Sequence, residues 1–158
     1  MRTVVAMLGS IAVACGTDHG KSYQDDPTDP ELPARGETAL RSWLAAGYYK
    51  SWKCEPAPRA GRTPSPHGIA RVCNNHALAT SSVGELPVGV AAVKEILDPD
   101  NSIHGYAVSR KIAAGVSGSS WYWFEATADT VYADGENEAT CVGCHSGAAR
   151  ELVFTFVP

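Results

Sequence analysis

The chain has 158 residues, a formal net charge of −4 and a pI near 5.7. That length suffices for one domain with a core of its own, and an acidic balance without a basic stripe offers no footprint for nucleic acid. Hydrophobic residues make up 44%, an ordinary globular share, while five cysteines are an odd number that needs an accounting.

The N-terminus reads as an export signal. Arg2 is a minimal positive region, and Val4 to Val13 is an apolar stretch too short for a permanent bilayer span. It ends Ile11-Ala12-Val13-Ala14-Cys15, which is similar to a bacterial lipobox, with cleavage before Cys15 and acylation of its thiol; Ala12 stands where Leu is usual. An ordinary secretory signal that contains a Cys is the alternative. Residues 1–14 are then signal peptide. Residues 15–36, with Asp18, Lys21, Asp25, Asp26, Pro27, Asp29, Pro30, Glu31 and Pro33, read as a disordered tether, because such composition buries too little apolar surface to fold.

Residues 37–158 form the expected domain. Glu37 to Trp52 is predicted helical, with Leu40, Trp43, Leu44 and Tyr48 on one face. Pro56, Pro58, Pro64 and Pro66 then mark a long loop. Ile69 to Cys73 is a predicted strand, and so is Val88 to Leu97, whose alternation puts Val88, Val90, Ala92, Lys94 and Ile96 on one face. Asp98-Pro-Asp-Asn101 is turn chemistry. Tyr106 to Ile112 is the next strand, Gly115 to Ser120 a turn, and Trp121 to Thr127 an aromatic, β-prone strand. Leu152 to Val157 is expected to end the chain as another strand. The expected fold is therefore α+β, mainly antiparallel β-sheet with an N-terminal helix.

Between the last two strands lies Cys141-Val142-Gly143-Cys144-His145. A C-x-x-C-H run is the attachment signature for c-type haem: two thiols each add to a vinyl group, and the adjacent His is held against the iron. A redox C-x-x-C and half of a zinc site are the alternatives; there is no second C-x-x-C and no βαβ setting of thioredoxin type. With lipid on Cys15 and haem on Cys141 and Cys144, Cys54 and Cys73 remain and can pair in an oxidising compartment. Such a bridge contributes roughly 3 kcal/mol in the chain-entropy model. Free buried thiols, or a zinc site shared with the C-x-x-C, are the rivals.

Both methionines, Met1 and Met7, fall in the signal. The mature chain therefore cannot make the His/Met ligation of an electron-carrying cytochrome c. His19, His67, His76 and His104 remain as sixth-ligand candidates beside an open five-coordinate site, and an open site suits binding or conversion of a small molecule. Lys94, on an apolar strand face, is either desolvated and nucleophilic or snorkelling to water.

Val93-Lys94-Glu95-Ile96, Gly105-Tyr106-Ala107-Val108, Trp121-Tyr122-Trp123-Phe124-Glu125, and Cys141 to His145 followed by Val153-Phe154-Thr155 together resemble the cytochrome P460 family and its relative, the β-type cytochrome c′. Their order covers most of residues 38 to 158. The resemblance implies a homodimer of mostly antiparallel β fold with His145 as proximal ligand. It also implies that Lys94 faces the haem, since it matches the lysine that P460 proteins bond covalently to a haem meso carbon.

The chain departs from that pattern too. Ile112 to Ser120 is short and lacks an acid, where hydroxylamine-oxidising members carry a longer segment with a proton-relaying carboxylate. Glu125 or Glu95 could substitute, though both also read as solvated strand charges. The Cys54 and Cys73 pair and the Pro-rich loop are additions to the pattern, and Arg71 and Arg110 are candidates for haem propionates or for the surface. The expected function is that of a mono-haem c lipoprotein facing the periplasm, binding and oxidising hydroxylamine or nitric oxide with electrons passed to a redox partner protein. The alternatives are a non-enzymatic nitric oxide binder of c′-β type, with an apolar pocket lined by Phe124 or Phe154, and a bis-His electron carrier.

Overall fold

The computed structural model describes residues 29–61 and 65–157. The expected signal peptide, Cys15, His19 and most of the tether lie outside the described residues.

Helix α1, Glu37–Ala45, is followed by a 3₁₀ turn, Tyr48–Ser51. Strands β1 (Lys53–Cys54), β2 (Arg59–Ala60) and β3 (Ile69–Asn74) lead to the short helix α2 (His76–Thr80). Strands β4 (Ala91–Leu97), β5 (Ile103–Lys111), β6 (Trp121–Thr127) and β7 (Val131–Glu136) precede helix α3 (Ala139–His145). The result is α+β, with one antiparallel seven-stranded sheet of order β1-β3-β4-β5-β6-β7, in which β2 also pairs with β3.

Alternation along the strands divides the core between the two sheet faces. On one face Tyr122, Phe124 and Ala126 of β6, Val108 of β5, and Ala91 and Val93 of β4 pack with Leu40, Trp43, Leu44, Tyr49 and Trp52. On the other, Trp121, Trp123 and Ala133 pack with Leu78, Leu86, Val90, Leu152 and Val153. The aromatic pairs of the first face are tilted, such as Trp43 with Trp52 at 5.4 Å between ring centroids, or edge-to-face, such as Tyr49 with Tyr106, as aromatic quadrupoles favour.

The expected helix to Trp52 stops early. Gly47 takes a left-handed φ of 73°, which ends an α-helix and which glycine adopts without steric cost. The change of pitch turns Tyr48 out, at 53% exposure, and buries Tyr49 in its place. The start of α1 is tied to the sheet by Asp134 of β7, which accepts from the Glu37 amide at 3.1 Å. Residues 29–36 pack on the domain rather than trailing as a tether. Leu32 is 4% exposed in the α1-side core, and the Asp29 carboxylate accepts from the His76 amide at 2.6 Å.

Three other expectations change. The strand expected from Val88 begins at Ala91. The Pro-rich segment carries the two-residue strand β2, and β1 just precedes it, both paired to β3. The segment from Leu152 makes only an isolated bridge between Arg150 and Val153, because Glu151 and Leu152 both have positive φ, 42° and 66°. Gly105 opens the Gly105-Tyr106 segment where a Cβ would lie 2.6 Å from the Ala126 carbonyl oxygen, so no other residue fits so close to β6.

Candidate functional site

The face of the sheet away from α1 is not filled at its centre. Register aligns Val72, Lys94, Ala107, Glu125 and Ala133 across β3, β4, β5, β6 and β7. The neighbouring row runs Asn74, Ala92, Ser109, Trp123 and Gly135. Ala92, Ala107 and Ser109 are small, so the middle of this face is hollow where the opposite face carries Val93, Val108 and Phe124. Lys94 and Glu125 flank Ala107 from adjacent strands, so their backbones stand roughly 10 Å apart at two strand spacings.

Helix α3 and the segment 152–155 close the hollow into one cavity. Cys141, Cys144 and His145 wall it together with Lys94, Ala107, Ser109, Trp123, Glu125, His67 and Phe154. Its empty space, open mouth included, is about 750 Å³. Phe154 lines it directly. Phe124 borders it too but is packed in the α1-side core with Tyr122 and Ala126.

Within α3, Cys141 and Cys144 are three residues apart on a helix, which puts both thiols on one side about one turn apart. Both are free thiols, Cys141 partly buried and Cys144 exposed. Burial pushes the Cys141 thiol up to about 11, with the Glu125 and Glu138 carboxylates adding to it. A redox C-x-x-C needs the opposite, a thiol held below its ordinary value. Among the described residues, no three His, Cys, Asp or Glu side chains converge as a metal-binding group.

The His145 ring is fixed on several sides. It lies edge-on to Trp123 at 4.7 Å and 5.1 Å from Phe154 between centroids. Its Nδ1 is 2.6 Å from the Leu152 carbonyl oxygen. A carbonyl only accepts, so Nδ1 carries the proton and the lone pair of the neutral ring is on Nε2. This is the arrangement that metal-ligating histidines adopt, with one nitrogen donating to the protein and the other directed at the metal. The carbonyl is presented by the unusual turn already noted: a non-glycine residue at positive φ costs about 1–3 kcal/mol, and here two stand in succession.

His67, from the loop before β3, is the one expected sixth-ligand histidine that reaches the cavity among the described residues. Its Nδ1 lies 3.3 Å from the Glu125 carboxylate, although the angle is not that of a hydrogen bond and the nitrogen is otherwise buried without one. Trp123 Nε1 is also buried without a hydrogen-bond partner among the described residues. Two polar atoms that make no hydrogen bond among the described residues, both in the walls of one hollow, suit a site built to receive a further group. His104 is exposed, 3.6 Å from Asp98, and His76 begins α2.

Glu95 corrects an expectation. It is 3% exposed on the α1 face rather than solvated. Arg71 donates to it from Nε at 2.7 Å and from its terminal nitrogen at 3.0 Å, and Tyr49 from its hydroxyl at 2.6 Å. Burial pushes its carboxyl up, but the Arg71 and Tyr49 hydrogen bonds outweigh that and hold it below the ordinary range. Arg71 is thereby committed to the core, and Arg110 turns to the Leu32 and Pro33 carbonyls, so neither arginine is among the cavity walls. Glu125, also read as a solvated charge, is partly buried in the cavity wall. Cys54 and Cys73 form a disulfide across β1 and β3. The small-residue floor and the role of Leu152 were missed by sequence reasoning. The floor had a signal, since Ala92, Lys94, Ala107 and Ser109 share one face by alternation.

These residues fit a haem c: paired thiols on one helical side, a histidine of the right tautomer, and an open hollow floored by alanine and serine. No protein-family model, curated protein or solved structure matches the chain.

Proposed function

We propose that this chain is an exported mono-haem c protein of cytochrome P460 type, holding its haem through Cys141 and Cys144 with His145 as axial ligand. The observation that carries the reading is the union of the C-x-x-C-H helix with a hollow sheet face, the Nδ1 of His145 being anchored on a backbone carbonyl. Bound there, the haem would supply an iron site for hydroxylamine or nitric oxide and a route for electrons to a redox partner protein. The chain's own residues do the rest. Trp123 and Phe154 hold the His145 ring. Val72, Ala92 and Ala107 keep the hollow apolar and limit water. Glu125, 3.3 Å from His67, would be the group to accept protons that hydroxylamine loses on oxidation. Lys94 contributes its amine from the sheet side, where the family resemblance implies a covalent link to the macrocycle.

Export is supported by the disulfide, since such bonds persist in oxidising compartments. The proposal includes a lipid anchor at Cys15 on the periplasmic side of a bacterial membrane, and a homodimer. Among the described residues, no helix is long and apolar enough to cross a membrane.

The test is expression with haem-c maturation machinery, followed by intact mass under denaturing conditions and a ferrous spectrum. Covalent haem in the wild type, lost in Cys141→Ser/Cys144→Ser, is the expected result; a folded, haem-free wild type would refute it. A red-shifted Soret band abolished by Lys94→Ala marks the P460 type. A second reading, a nitric oxide binder of c′-β type, is favoured by the largely apolar walls. It predicts an ordinary high-spin spectrum and no turnover of hydroxylamine.

A further inference from the structure

Lys111, the last residue of β5, lies on the cavity side of the sheet with its side chain wholly buried. Its Nζ donates to Glu151 at 2.6 Å and to Glu85 at 3.0 Å. The other Glu151 oxygen accepts from the Leu86 amide at 2.5 Å, so both of its oxygens are engaged. Glu151 is the first central residue of a tight turn that the Val153 amide closes onto the Arg150 carbonyl at 2.9 Å. Both central residues, Glu151 and Leu152, are left-handed. Turns with two such positions favour Asn, Asp and Gly, and Glu-Leu has no local reason to adopt one. An external anchor is present, since the buried ammonium of Lys111 holds the Glu151 carboxylate. The product of the turn is the Leu152 carbonyl, aimed at His145 Nδ1. Strained backbone held by its surroundings is characteristic of functional sites.

We propose that Lys111 and Glu151 are positioning residues for His145. Their buried ion pair enforces the left-handed turn, the turn presents the Leu152 carbonyl, and the carbonyl sets the tautomer and angle of the imidazole. The consequence for a bound haem rests on the function proposed above; the effect on His145 itself does not.

The test therefore has two readouts. In the full chain carrying Cys141→Ser and Cys144→Ser, which cannot attach haem, nitrogen-15 histidine spectra report the His145 tautomer directly. The expected result is a protonated Nδ1 that loses its protection in Glu151→Gln and in Lys111→Met, with the far-ultraviolet circular dichroism unchanged. Adding Glu151→Asn, a residue that tolerates left-handed φ, to Lys111→Met should restore it, which a loss of packing alone would not allow. Should Lys111→Met fail to fold, the near-isosteric Glu151→Gln decides. A His145 signal unaltered in folded Glu151→Gln would overturn the proposal. In the matured wild-type background, Glu151→Gln should lower the iron–histidine stretching frequency and raise the reduction potential, as loss of a hydrogen bond from Nδ1 weakens the ligand. A wild type that never acquires haem would refute the proposed function and leave the His145 readout standing.

Discussion

The two faces of the central sheet are built from the same strands to opposite ends. Toward α1, β4, β5 and β6 present Val93, Val108 and Phe124, and aromatic rings from Trp43, Tyr49 and Trp52 fill the remaining space. Toward α3 the same strands present Ala92, Lys94, Ala107, Ser109 and Glu125, and a cavity is left open. Each face also buries an ion pair. Glu95 with Arg71 on the first ties strands to the helical cap; Lys111 with Glu151 on the second holds a strained turn against His145. Alternation thus lets one sheet carry a packed support and a receptive surface, with rigidity on one side available to position groups on the other.

The comparison is broken most severely by filling the hollow. Ala107→Leu should abolish covalent haem loading, read as intact mass, while costing less than ~1 kcal/mol of stability, because the added atoms enter open space. A variant that unfolds instead would mean the hollow is ordinary packed core. Next, Trp43→Ala should cost about 3–5 kcal/mol in denaturant unfolding by leaving a large void on the closed face. Haem loading of the folded fraction should stay as in the wild type, and a specific loss of loading would show that the faces are not separable. Replacing both Cys54 and Cys73 by Ser should cost roughly 3 kcal/mol, as expected for a loop of 19 residues, again without changing the spectrum of the site.

The smallest effect concerns pH. The Glu95 carboxyl is held below its ordinary value in the folded chain. Its contribution is therefore full above the unfolded value of about 4.3 and is lost as pH falls through the lower folded value. Glu95→Gln should flatten that acid limb of the stability profile measured by urea unfolding, and an unchanged limb would remove Glu95 as its source.

Much of this division was readable from the chain. Trp121 to Thr127 is β-prone and aromatic, and the strand observed has those same limits. The C-x-x-C-H run marks its own residues as the site, although the helix that carries them was not expected. What escaped depends on distant partners. Val131–Glu136 received no assignment from its sequence, since Asp134 and Gly135 interrupt its apolar pattern, yet β6 pairs with it as a strand. Glu95 looks solvated because nothing adjacent announces Arg71 and Tyr49, 24 and 46 residues away. Leu152 to Val157 has strand composition, but the Lys111 contact to Glu151 bends its start into a left-handed turn. His67 was one of several histidines until the loop before β3 brought it beside Glu125.

The central claim is that the open face exists to hold a covalently bound haem through α3. The most direct measurement is the denatured intact mass of the full chain after co-expression with haem-c maturation machinery, beside its Cys141→Ser/Cys144→Ser variant. A mass increased by one haem in the wild type and absent from the variant is what this account predicts. A wild type that is folded, disulfide-bonded and of unmodified mass at the C-x-x-C-H helix would contradict it.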